Sequence, residues 1–144
     1  MNRKFVVTIL AYGAALGIGL CAVADVARAN DANISKVLGS INVAEGEHVG
    51  NVSTVNGSIH ISSDATVGRV TAVNGGVHLD SRATASDLHT TNGGIDVQED
   101  GHVAGNIYTV NGGLHIHDGA DVAGDVTTVN GGIRVAGAHV RGSI

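Results

Sequence analysis

Apolar and polar residues alternate with period two in short runs: Ile59-His60-Ile61, Val77-His78-Leu79, Leu114-His115-Ile116 and Ile133-Arg134-Val135. This is the signature of a β-strand with one face buried, and a helix cannot satisfy it. Between the runs lie Asn and Gly, which turn the chain because both tolerate positive φ. Apolar positions also recur six residues apart, through Val37, Val43, Val49, Val55, Ile61, Val67, Val73 and Leu79 and on to Val103. The series slips by one before Val110 and again before Val129, each time where an extra Ala (Ala104, Ala123) precedes a Gly, as at a bulge or corner adjustment.

A longer period encloses this one. Val55-Asn56-Gly57-Ser58-Ile59 returns as Val73-Asn74-Gly75-Gly76-Val77, Thr91-Asn92-Gly93-Gly94-Ile95, Val110-Asn111-Gly112-Gly113-Leu114 and Val129-Asn130-Gly131-Gly132-Ile133, with the Asn residues 18, 18, 19 and 19 apart. Leu38-Gly39-Ser40-Ile41 is a degenerate copy 18 residues earlier. Self-similarity at this period marks a solenoid, in which stacked neighbours bury what one repeat alone leaves open. The pattern predicts an all-β, single-stranded parallel β-solenoid, a triangular β-helix of about six coils of 18–19 residues. At about 4.8 Å per coil, the rod is about 30 Å long.

The first 29 residues stand outside this pattern. Arg3 and Lys4 precede an apolar run from Phe5 to Ala24, and Ala27-Arg28-Ala29 supplies small residues for a signal peptidase. The expected division is a signal peptide over 1–29, an N-terminal extension or cap over 30–37 and a solenoid over 38–144, in a periplasmic or secreted protein. An uncleaved anchor is the rival reading, since the run is nearly long enough to span a bilayer. A lipoprotein reading conflicts with Leu20 before Cys21. Cleavage removes Cys21, which excludes disulfides and thiolate metal sites, and leaves no membrane span.

The remaining chain carries five basic and twelve acidic residues, a net charge of −7 with histidine neutral. That balance argues against a nucleic-acid partner. The aromatic residues are Phe5, Tyr12 and Tyr108, so Val, Ile, Leu and Ala must build a thin, layered core.

Stacking converts equivalent positions into columns. Asn56, Asn74, Asn92, Asn111 and Asn130 are expected at one corner, their amides hydrogen-bonding along the stack. Four residues later runs an outward column of Asn42, His60, His78, Asp96, His115 and Arg134. In it, His60, His78, Asp96 and His115 form a candidate Zn²⁺ or Cu²⁺ site, which His117 can extend; a plain solvated strand face is the alternative. Adjacent histidines resist double protonation, so this face also suits a response to mild acid. His48, Thr66, Thr84, His102, Asp121 and His139 form a third column, expected at the surface. Thr54, Ala72, Thr90, Thr109 and Thr128 form a fourth, suited to tight stacking or a regular outward array.

No nucleophile or nucleotide motif is present. Asp64, Glu99, Asp100 and Asp118 read as turn acids, and six short coils offer no long loops to wall a cleft. The expectation is a protein without catalytic residues or a cofactor.

The Ala120–Val126 string, Ala-Asp-Val-Ala-Gly-Asp-Val, resembles the bactofilin, or polymer-forming, repeat. The Thr-Val-Asn-Gly-Gly-Ile string resembles exported adhesin-type repeat proteins of bacteria. The resemblance covers roughly residues 38–144. It implies a right-handed triangular β-helix that assembles end to end, although bactofilins are cytosolic and lack signal peptides. Solenoids need polar caps, and an open end is a template for another copy. The sequence therefore points to a non-enzymatic exported structural or self-associating repeat protein of the bacterial envelope. The alternative is a metal- or pH-responsive binding module that uses the His/Asp column.

Overall fold

The computed structural model describes residues 32–144, and the expected signal peptide lies outside them. Among the described residues there is no helix, and hence none long and apolar enough to cross a membrane. The chain coils with three sides per turn. The first side comprises β2 (Ile41–Val43), β5 (Ile59–Ile61), β7 (Val77–Leu79), β9 (Ile95–Val97), β12 (Leu114–Ile116) and β15 (Ile133–Val135), stacked as one parallel sheet. The second comprises β3 (His48–Val49), the opening residues of β6 (Thr66–Asn74) and β8 (Thr84–Asn92), β10 (His102–Val103), β13 (Asp121–Val122) and β16 (His139–Val140). The third comprises β1 (Ile34–Leu38), β4 (Val52–Asn56), the remainder of β6 and β8, β11 (Ile107–Asn111) and β14 (Val126–Asn130). Every pairing is parallel, with each residue opposite its counterpart 18 or 19 positions on, as in Asn56↔Asn74 and Asn92↔Asn111. This is the six-coil solenoid that the repeat predicts.

The coil starts earlier than expected. Ile34 pairs with Val52, so the segment 30–37, read as an extension or cap, already contains the third side of the first coil. The two register slips are corner insertions. The second and third sides join without a break in β6 and β8, whereas the added residue at Ala104-Gly105 separates β10 from β11. The ladder continues across it through Ala104 N–H to Ala85 O and Gly105 N–H to Ser86 O.

The core is built from two inward residues per side. In the second full coil these are Ile59 and Ile61, then Ala65 and Val67, then Val70 and Ala72, all buried. The inward positions are therefore unevenly spaced, and counting by sixes misplaces the third side. Val37, Val55 and Val129, counted into the apolar series, are 61%, 38% and 57% exposed. Thr54, Thr90 and Thr109, each one residue before a position of that series, are fully buried instead. The threonine column thus faces inward rather than forming an outward array.

Burial is possible because each hydroxyl has a partner. Thr54 donates to Gly39 O, Thr90 to Gly75 O, Thr109 to Gly93 O and Thr128 to Gly112 O, at 3.1–3.3 Å. Each acceptor belongs to the Asn-Gly or Leu-Gly corner of the preceding coil. A bonded hydroxyl escapes the cost of burying an unpaired polar group.

The corner after the first side turns through a left-handed residue in every coil: Gly46, Asp64, Arg82, Asp100, Gly119 and Gly137, with φ between 57° and 74°. Non-glycine residues adopt this region at a cost, because Cβ crowds the backbone. Asp64 and Arg82 also pair across the stack at 2.7 and 2.9 Å. The Arg82 hydrogen bond, and secondarily its charge, lowers the Asp64 carboxyl from its ordinary range.

Candidate functional site

The outward face of the first side carries the chemistry. Parallel register places Asn42 beside His60, His60 beside His78, His78 beside Asp96, Asp96 beside His115 and His115 beside Arg134. The column expected from the sequence is thus physically continuous. Its residues point outward because their neighbours Ile59, Ile61, Val77 and Leu79 fill the core.

Coil spacing brings the His60 and His78 rings into parallel stacking, with centroids 5.0 Å apart and planes 10° from each other. Both Nε2 atoms then face one carboxylate. His60 Nε2 lies 3.1 Å from Asp80 Oδ2 and His78 Nε2 lies 3.0 Å from Asp80 Oδ1. Asp80 is the residue that sequence reasoning missed. It follows β7 and alternates outward two positions after His78, a spacing legible in Val77-His78-Leu79-Asp80. The same spacing relates His115 and His117.

The other expected ligands are arranged differently. Asp96 sits on the far side of His78, with Oδ2 3.4 Å from His78 Nδ1. It is held there by Gln98 Nε2 at 3.1 Å and paired with His117 Nε2 at 2.9 Å. His60, Asp80, His78, Asp96 and His117 therefore form one connected chain of side chains. His115 is exposed, and among the described residues it has no ion-pair partner. The set His60, His78, Asp96 and His115 is thus not gathered around one point, whereas His60, His78 and Asp80 are: their ligand atoms all lie within 4.8 Å of one another.

Two further ladders are structural. In the asparagine column Asn74 donates to Asn56, Asn92 to Asn74, Asn111 to Asn92 and Asn130 to Asn111, at 2.8–3.0 Å between amide groups. On another corner, side-chain oxygens accept backbone N–H groups of the next coil: Asn33 from Asn51, Asn51 from Arg69, Asp87 from Asn106, Asn106 from Asp125 and Asp125 from Ser143. Near it His89 and Tyr108 stack at 4.8 Å in a shallow open groove bordered by Arg69, Asp87 and Asp125.

In the third column His102 Nδ1 and Arg141 Nη2 both approach Asp121 Oδ2, at 3.3 and 2.7 Å. Asp64 and Asp100 stand in the left-handed corner, and Glu99 and Asp118 in the turns beside it.

Compared with protein-family models, with curated proteins and with solved structures, the chain shows no match. The bactofilin-like and adhesin-type resemblance rests on its two sequence strings alone.

Proposed function

We propose that the protein is a non-enzymatic, exported structural repeat protein of the bacterial envelope that associates end to end through its coil faces. The observation that carries this reading is the match between its two terminal coils. Among the described residues β1, β2 and β3 pair on one side only, as do β14, β15 and β16 on the other. Such strand edges carry unpaired N–H and C=O groups and invite pairing.

Continuing the repeat by one step sets the first coil of a second copy on the last coil of this one. Ile133 then meets Ile41 of the second copy, Val135 meets Val43 and Val140 meets Val49, while Val126 is already covered by its own chain, whose Ser143 O accepts its N–H. Exposed Val129 lies over exposed Val37. Apolar residues fall on apolar residues at these positions, while the other two inward columns set Lys36 of the second copy on Thr128 and Glu47 on Ala138. A head-to-tail contact of this kind does not close, so it propagates as a filament. Export is supported by the N-terminal sequence pattern, and assembly also by the resemblance to polymer-forming repeats.

Sedimentation velocity over a wide concentration range tests the reading. The expected result is a mass that grows with concentration. Val129→Lys with Val135→Lys lowers it, and so does Val37→Lys at the other end, while Val73→Lys, midway along the rod, does not. A strict monomer at the highest concentration overturns the proposal.

A further inference from the structure

We propose that His60 Nε2, His78 Nε2 and the Asp80 carboxylate hold one divalent ion of the imidazole-preferring class, with Zn²⁺ as the reference ion. The inference is independent of end-to-end assembly, since the site lies on the side of the rod.

The donor set is the first support. Two imidazole nitrogens and one carboxylate are ordinary zinc ligands, and three protein ligands leave one position open to water. Around a tetrahedral zinc with bonds of about 2.0–2.1 Å, neighbouring ligand atoms stand about 3.3 Å apart. The nitrogen–oxygen separations here, 3.0 and 3.1 Å, need to open by only a few tenths of an ångström to admit the ion. The stacked rings present their nitrogens to the two oxygens of one carboxylate, with all ligand atoms within 4.8 Å of one another, so sharing an ion requires the rings to tilt toward each other.

The hydrogen-bonding arithmetic is the second support. A neutral imidazole has one N–H. His78 faces a carboxylate from each nitrogen, Asp80 at Nε2 and Asp96 at Nδ1. One contact therefore sets a lone pair against an anion, unless a second proton or a metal cation occupies it. If Nδ1–H donates to Asp96, the Nε2 lone pair is left facing Asp80, which is the state a metal ligand requires. Asp96 is then a positioning residue of the carboxylate–histidine–metal kind, steadied by Gln98 and His117.

The third support is the backbone. Two of the three ligands sit opposite each other in a parallel ladder, and the third is two residues from one of them. Two of the ligands thus stand on strands whose inward neighbours are fully buried, and the third directly follows one of those strands, the kind of support a preorganised site needs.

Isothermal titration of the full chain with ZnCl₂ tests the assignment, with circular dichroism as a check on folding. One Zn²⁺ per chain is expected, and Mg²⁺ at the same concentrations gives no heat. His60→Asn and His78→Asn are suitable variants, because Asn42 already occupies the same column. Each of these, and Asp80→Asn, abolishes measurable binding, while His115→Asn leaves it unchanged. Asp96→Asn weakens binding by about 10–100-fold but keeps the Co²⁺ absorption spectrum of the wild type, whereas Asp80→Asn changes it. Absence of Zn²⁺ binding, equal Mg²⁺ binding, or binding retained by folded Asp80→Asn overturns the proposal.

Discussion

Ala72→Thr is expected to stabilise the protein, even though it enlarges a fully buried side chain. Ala72 occupies the inward column between Thr54 and Thr90, its partners in register on either side. Thr54, Thr90, Thr109 and Thr128 each donate to a glycine carbonyl of the preceding coil. Alanine has no hydroxyl, so the corresponding Gly57 carbonyl receives no such bond. Threonine at 72 supplies the missing donor in a frame that accepts the same side chain one coil below and one coil above. The new hydrogen bond is worth about 0.5–1.5 kcal/mol net, and its added methyl about 0.8 kcal/mol if fully buried. Loss of rotamer freedom and residual crowding offset part of this. The expected gain is therefore about 1 kcal/mol, which at a slope of about 1–3 kcal/mol/M moves the urea midpoint up by about 0.3–1 M.

Ala72→Val separates the bond from the bulk. It is close to threonine in shape and more apolar, so at a site without an acceptor it would exceed threonine by about 1–3 kcal/mol. Here Ala72→Thr is expected to equal or exceed Ala72→Val in urea denaturation. Thr90→Val, the reverse change one coil on, is expected to lose about 1–2 kcal/mol by leaving the Gly75 carbonyl unmet. The reasoning is refuted if valine at 72 exceeds threonine by 1 kcal/mol or more, in the range of about 1–3 kcal/mol for an unpaired hydroxyl, or if Ala72→Thr destabilises.

Gly112→Ala should cost at least about 2 kcal/mol in thermal or urea unfolding, because its Cβ would run into the Gly93 carbonyl of the coil below. Gly132→Ala, at the second rather than the first glycine of the last Asn-Gly-Gly corner, meets nothing within 4 Å and should change stability by less than about 0.5 kcal/mol. Asn92→Ala breaks two amide–amide bonds and Asn130→Ala one, so the first should destabilise by about 1–2 kcal/mol and the second by about half as much; equal losses would contradict the ladder. Arg82→Ala should return the Asp64 carboxyl to its ordinary range in an NMR pH titration. Because the folded-state value is lowered, the pair's contribution is complete above the ordinary carboxylate range. It is lost as pH falls through the lowered value, and the variant should lack that acid-side dependence.

The repeat of Asn-Gly corners and the period-two runs between them determined the architecture by themselves. Both are local signals, and a parallel stack preserves them because each residue sits opposite its own counterpart. For the same reason the asparagine column and the succession His60, His78, Asp96, His115 were legible as columns. The lengths of the three sides were not. A count by sixes assumes equal sides, and the actual bends set Val55 outward and Thr54 inward. Only the position of the Gly39 carbonyl in the neighbouring coil makes a buried threonine affordable.

The histidine face divides in the same way. The sequence placed His60 and His78 together, but which carboxylate lies between their Nε2 atoms depends on ring orientation and on how the chain leaves β7. The stacked rings turn toward Asp80, and Asp96 falls behind His78. Periodicity reports which side of a strand a residue occupies; where side chains converge is decided in three dimensions, by the neighbouring coils that pack against them.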